Sequence, residues 1–287
     1  MLPFLGSMGN NCEESFMKDK LSTIFLFLML FVGLSLLLYP TVSDYWNSFH
    51  QSKAIAGYVD EIAKLDKTKY DDMLREAREY NAKLALNPGR WKMTAEDKAR
   101  YESILDVSGT GIIGYIEIPE IKVSLPIYHG TDEGVLQVAI GHLAGSSFPV
   151  GGEGTHAVVS GHRGLPSAKL FTDLDKLIKG DKFIIRVLNE IYTYEIDQVL
   201  IVLPGETEAL AIENGSDLCT LITCTPYGVN THRLLVRGHR VENDKQSRSV
   251  MAAADAVQIE PIIVAPVVAA PILLILFIAM MINTRRK

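Results

Sequence analysis

Two stretches of the chain, residues 21–39 and 261–282, are predominantly apolar and contain no charged side chain. A bilayer core about 30 Å thick takes roughly 20 apolar residues in a helix, so each stretch predicts a transmembrane helix. The first ends Leu37-Leu38-Tyr39-Pro40 without the small-x-small pattern of a cleavage site, which reads as an anchor rather than a removed signal. The second has no polar face and runs into Arg285-Arg286-Lys287; its Pro266 and Pro271 are tolerated in membrane helices. Between the two stretches the pattern changes twice. Over residues 51–86, Ile55, Val59, Ile62 and Leu65, then Met73, Leu74, Ala77 and Leu84, recur at helical spacing. They predict one or two amphipathic helices, stopped by Asn87-Pro88-Gly89. After Asp106 come short β-branched runs at 114–119, 122–128, 155–160, 182–188, 191–196, 198–203, 220–223 and 232–236. Strands at this density predict a mainly β, closed or nearly closed barrel, with short helices around 135–140 and 169–177.

Charge orients this plan. Lys18 and Lys20 precede the first apolar stretch and the basic tripeptide follows the second, so the positive-inside tendency puts both termini in the cytoplasm. The expected organisation is a cytoplasmic N-terminus (1–20), a span (21–39), an exported helical segment (44–106) and a catalytic barrel (107–245). A linker (246–260), a second span (261–282) and a basic cytoplasmic tail (283–287) complete it. The 287 residues carry a net charge of −6, which leaves no basic footprint for nucleic acid. Three cysteines exclude a disulfide-stapled scaffold. Cys219 and Cys224 share one strand-like run, where five steps span about 16 Å, against the roughly 7 Å that a disulfide allows. Both are expected to be free thiols, and a free thiol in an exported domain calls for a chemical reason.

Cys224 ends a strand-like run and precedes Thr225-Pro226-Tyr227-Gly228, a position suited either to an exposed nucleophile or to an inert buried thiol. His162 stands in Ser160-Gly161-His162-Arg163-Gly164, also at a strand end; imidazole titrates near neutral pH and can serve as acid/base partner to a thiol. The alternative is a structural or solvated ring. Arg233 follows Cys224 by nine residues across a turn. If residues 220–224 and 232–236 pair, its guanidinium returns beside the thiol, where a fixed cation can stabilise an oxyanion. Arg237 and Arg240 compete for that part.

Thr220-Leu221-Ile222-Thr223-Cys224 with Arg233 resembles the Thr-Leu-x-Thr-Cys…Arg signature of sortases. The longer runs at 220–240, 156–171 and 141–149 are similar to class C, the pilin-polymerising branch found in Gram-positive bacteria, and two membrane spans fit the same branch. The resemblance covers residues 111–241. It implies an eight-stranded β-barrel with Cys224 as acyl-thioester nucleophile, His162 as acid/base and Arg233 supporting substrate and oxyanion. His142, His156 and His232 fall outside the implied catalytic positions. The implied reaction cleaves a Leu-Pro-x-Thr-Gly-like sorting signal and transfers the acyl group to an amine, a pilin lysine in the polymerising branch. One amide is exchanged for another, so no ATP, metal or organic cofactor is required. The implied partners are pilins or other surface proteins bearing sorting signals, with an acceptor amine. Alternatives are a housekeeping enzyme that anchors proteins to cell-wall precursors, an exported cysteine peptidase that uses water, and a non-catalytic membrane-anchored scaffold. Many class C members carry an Asp-Pro-aromatic lid before the barrel. This chain has Asn87-Pro88-Gly89-Arg90-Trp91 there, leaving Trp91 as the possible cover.

Overall fold

The computed structural model describes residues 8–243; the expected second span, linker and tail lie outside them. Three helices precede the sheet: α1 (Met8–Ala63), α2 (Lys67–Ala85) and α3 (Ala95–Ser103). The 21–39 stretch and the first predicted amphipathic segment belong to one helix, α1, which continues through Pro40. By length and composition α1 can cross a membrane, and none of its apolar window is buried. Asp66 caps α2 by accepting from Lys69 N at 2.8 Å. Thr94 and Asp97 form a capping box at α3, a helix that the periodicity did not announce.

Eight strands follow: β1 (Ile112–Ile118), β2 (Val123–His129), β3 (Ile140–His142), β4 (Thr155–Ser160), β5 (Lys182–Val187), β6 (Glu190–Val202), β7 (Asp217–Thr225) and β8 (His232–Val241). They close into a barrel in the order β1-β2-β3-β4-β7-β8-β6-β5. The runs expected at 191–196 and 198–203 are the single strand β6, whose register with β8 shifts between Ile196 and Gln198. Asp197 sits at that bulge and takes both Nε and Nη2 of Arg237 at 3.1 Å, so its charge points at a partner instead of ending the strand. β3 was not anticipated, because three residues are too few to establish a period. The helix expected around 135–140 is a single turn, α4 (Glu133–Leu136), and that around 169–177 is a 3-10 turn at Leu174–Lys176.

Every residue of β1 is buried. One of its faces points into the barrel and the other is covered by α1, where Tyr58 and Tyr115 meet edge to face at 6.5 Å. The Tyr58 hydroxyl donates to Ile113 O and accepts from Leu188 N, both at 2.9 Å, tying α1 to β1 and to the β5–β6 turn. Asn81 of α2 exchanges two hydrogen bonds with the Phe148 backbone, at 2.9 and 2.8 Å. The helices are therefore part of the fold, holding the barrel through satisfied buried polar groups.

Candidate active site

β4 and β7 run parallel, with Ser160 opposite Ile222. Continuing that register by two residues brings His162 level with Cys224. Two hydrogen bonds hold the extension: Gly161 N donates to Ile222 O at 3.0 Å, and Thr223 Oγ1 donates to Gly161 O at 2.8 Å. Phe171 N donates to His162 O at 3.1 Å and fixes the next peptide. Gly161 is required by packing, since a Cβ there would lie 2.7 Å from Ile140 Cγ2 and 2.8 Å from Phe171 Cδ2. On the other flank β7 and β8 are antiparallel neighbours, with Arg233 the Cα partner of Cys224.

Cys224, His162 and Arg233 line one cleft of about 350 Å³, with Leu143, Leu210 and Leu235 supplying apolar wall. Cys224 is half-buried and Cys219 is fully buried; both are free thiols. Burial pushes the Cys219 thiol pKa well up, which keeps it protonated and inert. The Arg233 guanidinium donates to Asn230 O and His232 O at 3.3 and 3.1 Å. Among the described residues it has no carboxylate partner, so its charge is available to the cleft. The competing arginines are engaged elsewhere: Arg237 with Asp197 and Glu213, Arg240 with Thr193 O and Ile191 O.

The remaining histidines of the matching runs are held away from the cleft. His142 is packed in one aromatic cluster with Phe148 and Tyr101, and His156 bridges Ala211 O and Thr220 Oγ1 at 2.7 and 2.8 Å. His232 meets the exposed Thr231 hydroxyl at 2.9 Å. Trp91 is half-buried beside the cleft, packed on the cluster of Val158, Leu210 and Leu235. Arg90 stacks on it at 4.2 Å while bonding Gly145 O and Leu210 O. None of residues 87–91 lines the cleft itself. Sequence reading missed Glu133, whose Oε1 lies 3.8 Å from His162 Nε2, and the wall contributed by residues 203–210. Neither carries a local signal, because both arrive through tertiary packing.

Residues 116–241 match the Sortase domain of known proteins. Sortase D of Bacillus subtilis is 30% identical over 190 residues, which cover 65% of this chain and 92% of that protein. The chain belongs to the sortase family. Among solved structures, sortase C1 of Streptococcus agalactiae is 52% identical with a TM-score of 0.66, covering 67% of this chain and all of that one. Streptococcus pneumoniae Sortase C is 42% identical with a TM-score of 0.61, covering 67% of this chain and 97% of that one. This sortase is accordingly a transpeptidase acting on sorting signals, and its structural neighbours include sortases of class C.

Proposed function

We propose that this sortase joins pilin subunits at the outer face of the cell membrane, with Cys224 as nucleophile, His162 as acid/base and Arg233 as the oxyanion-supporting cation. The observation that carries the reading is the register: adjacent strands bring these three side chains, and no other arginine of the barrel, to one cleft. Class C relatives support the pilin assignment, one of them described in terms of pilin substrate specificity.

In this reading the Cys224 sulfur attacks the carbonyl carbon of the scissile amide. A C–S bond forms, and the negative charge on oxygen is met by the Arg233 guanidinium. The tetrahedral intermediate collapses with loss of the C–N bond, and His162 gives its proton to the departing amine. A lysine amine then attacks the thioester, passes a proton to the now neutral His162 and expels Cys224. The apolar side chains of Leu143, Leu210 and Leu235 on one wall disfavour water as the acceptor relative to an amine. Trp91 braces that wall through Leu210 and Leu235. The apolar part of α1 spans the membrane, with the barrel outside and both termini in the cytoplasm; the 261–282 stretch would supply the second span.

The test uses the full chain in detergent micelles, a Leu-Pro-x-Thr-Gly peptide and a lysine-bearing pilin domain. Mass spectrometry should find an acyl adduct on Cys224 and an isopeptide-linked product, both absent in Cys224→Ala. An adduct that yields only hydrolysed peptide would point to a peptidase, and transfer to a cell-wall precursor amine alone would point to a housekeeping role.

A further inference from the structure

A second cavity, of about 580 Å³, lies between α1 and the loop that follows His162. Its lining joins two places that the proposed chemistry must connect. On one side are Gly164 and Leu165, directly beyond His162, and Tyr227, just beyond Cys224. On the other are Pro40, Thr41 and Asp44, the first residues past the apolar stretch of α1.

Strand register fixes which end of the barrel this is. Ile127 of β2 is level with Ile140 of β3, and Gly141 with Ser160 of β4. The start of β2, at Val123, therefore projects beyond Ser160 to the end that carries His162 and Cys224. Residues 40–51 of α1 lie at that end, held by three hydrogen bonds. Asp44 Oδ1 accepts from Lys169 N at 2.6 Å, Asn47 Nδ2 donates to Ser167 O at 2.6 Å, and Gln51 Nε2 donates to Val138 O at 2.7 Å. Tyr58, further along α1, bonds Ile113 at the opposite end of β1. The catalytic end of the barrel thus faces the end of α1 that meets the apolar stretch.

We propose that this groove is the leaving-side subsite: it holds the donor polypeptide after the scissile bond and leads it from His162 toward the membrane end of α1. The inference rests on the transpeptidase reading above. His162 protonates the leaving amine, so the departing chain lies on the His162 side, where the groove begins. The lining combines the exposed hydroxyls of Ser48 and Ser124 with the apolar surfaces of Leu165 and Tyr227. That mixture matches an extended peptide, with its backbone donors and acceptors and alternating side chains. Ser48 already donates to Tyr45 O at 2.9 Å, but an acyl chain would leave the Ser124 hydroxyl and the charged ends of Lys122 and Asp44 facing hydrocarbon.

The experiment uses the full chain in detergent and two donor peptides. One ends at the Gly of Leu-Pro-x-Thr-Gly; the other continues for about eight residues, enough at roughly 3.3 Å each to run along residues 40–51 of α1. Cleavage of the short peptide is measured first, and its absence in the wild type would remove the transpeptidase reading itself. Ser124→Trp and Ser48→Trp fill the groove from opposite walls. Each should lower the long-to-short ratio of kcat/KM about tenfold, equivalent to about 1.4 kcal/mol of lost leaving-side binding. A benzoylphenylalanine in the extension, with Cys224→Ala retaining the uncleaved peptide, should crosslink to residues 122–125 or 164–169. An unchanged ratio in both variants, or crosslinks confined to other surfaces, would overturn the subsite.

Discussion

Taking the protein from pH 7.5 to pH 5 should cost it about 2 kcal/mol of folding stability through His142 alone. The ring is completely buried, 5.0 Å from Phe148 with 9° between the planes. Its Nδ1 lies 2.9 Å from the Tyr101 hydroxyl and its Nε2 2.8 Å from Ser147 O. A neutral imidazole fits these contacts, with Nε2–H donating to the Ser147 carbonyl and Nδ1 sharing the Tyr101 hydroxyl proton with His142 O, 3.0 Å from that hydroxyl. Burial lowers its pKa from the ordinary 6.5 to about 4. The unfolded chain then binds a proton that the folded chain refuses. Stability is full above pH 6.5 and declines as pH falls toward 4. At pH 5 about 1.5 units of that gap have been crossed, at about 1.36 kcal/mol per unit. Burial pushes His129 and His156 down as well, which adds to the decline. The contribution of His142 is isolated by guanidinium unfolding of wild type and His142→Phe in detergent, followed by near-ultraviolet circular dichroism. Phe keeps the aromatic stack but leaves Ser147 O without its donor, so the variant should start about 1–2 kcal/mol less stable at pH 7.5. Its loss between pH 7.5 and 5 should be smaller than that of wild type by about 2 kcal/mol. Equal losses in both proteins would refute a neutral, proton-excluding His142.

Three further outcomes are expected. Arg233→Lys keeps the charge but not the fork, and should lower kcat/KM for sorting-peptide acylation by about 10²-fold with little change in melting temperature. Gly161→Ala should cost about 1–3 kcal/mol in thermal or denaturant unfolding and slow acylation, because the new methyl displaces Ile140, Phe171 or the peptide leading to His162. Tyr58→Phe removes both hydrogen bonds that tie α1 to the barrel and should cost about 1–3 kcal/mol. Hydrogen exchange at the Leu188 amide should rise in the same variant.

What the sequence made legible follows from the range of each interaction. Seven of the eight strands were visible as β-branched runs, because pleating and burial impose a local period on side chains. β3 lacked the length to show one, and β6 was read as two strands because Asp197 breaks the pattern in mid-strand. Its ion pair with Arg237 lies 40 residues away and leaves no local trace. The site divides in the same way. Cys224 and Arg233 belong to one hairpin, so a separation of nine residues was enough to expect them side by side, and β7 and β8 do pair in that register. His162 could be recognised as a candidate, but its level relative to Cys224 depends on a parallel pairing of β4 with β7 across about sixty residues. The placement of α1 was the least legible feature. Its periodicity is local and legible, whereas the contacts of Asn47 and Asp44 reach residues more than a hundred positions away. Those contacts turn the catalytic end of the barrel toward the apolar part of α1. An anchor joined by a flexible linker would leave the cleft free to tumble; a helix hydrogen-bonded to the barrel from Asp44 to Tyr58 gives it a fixed orientation. Cutting that lock with paired Asp44→Ala and Asn47→Ala changes should therefore impair membrane-held donors more than soluble peptides, even with Cys224, His162 and Arg233 untouched. Equal effects on both donors would mean that orientation contributes nothing to catalysis.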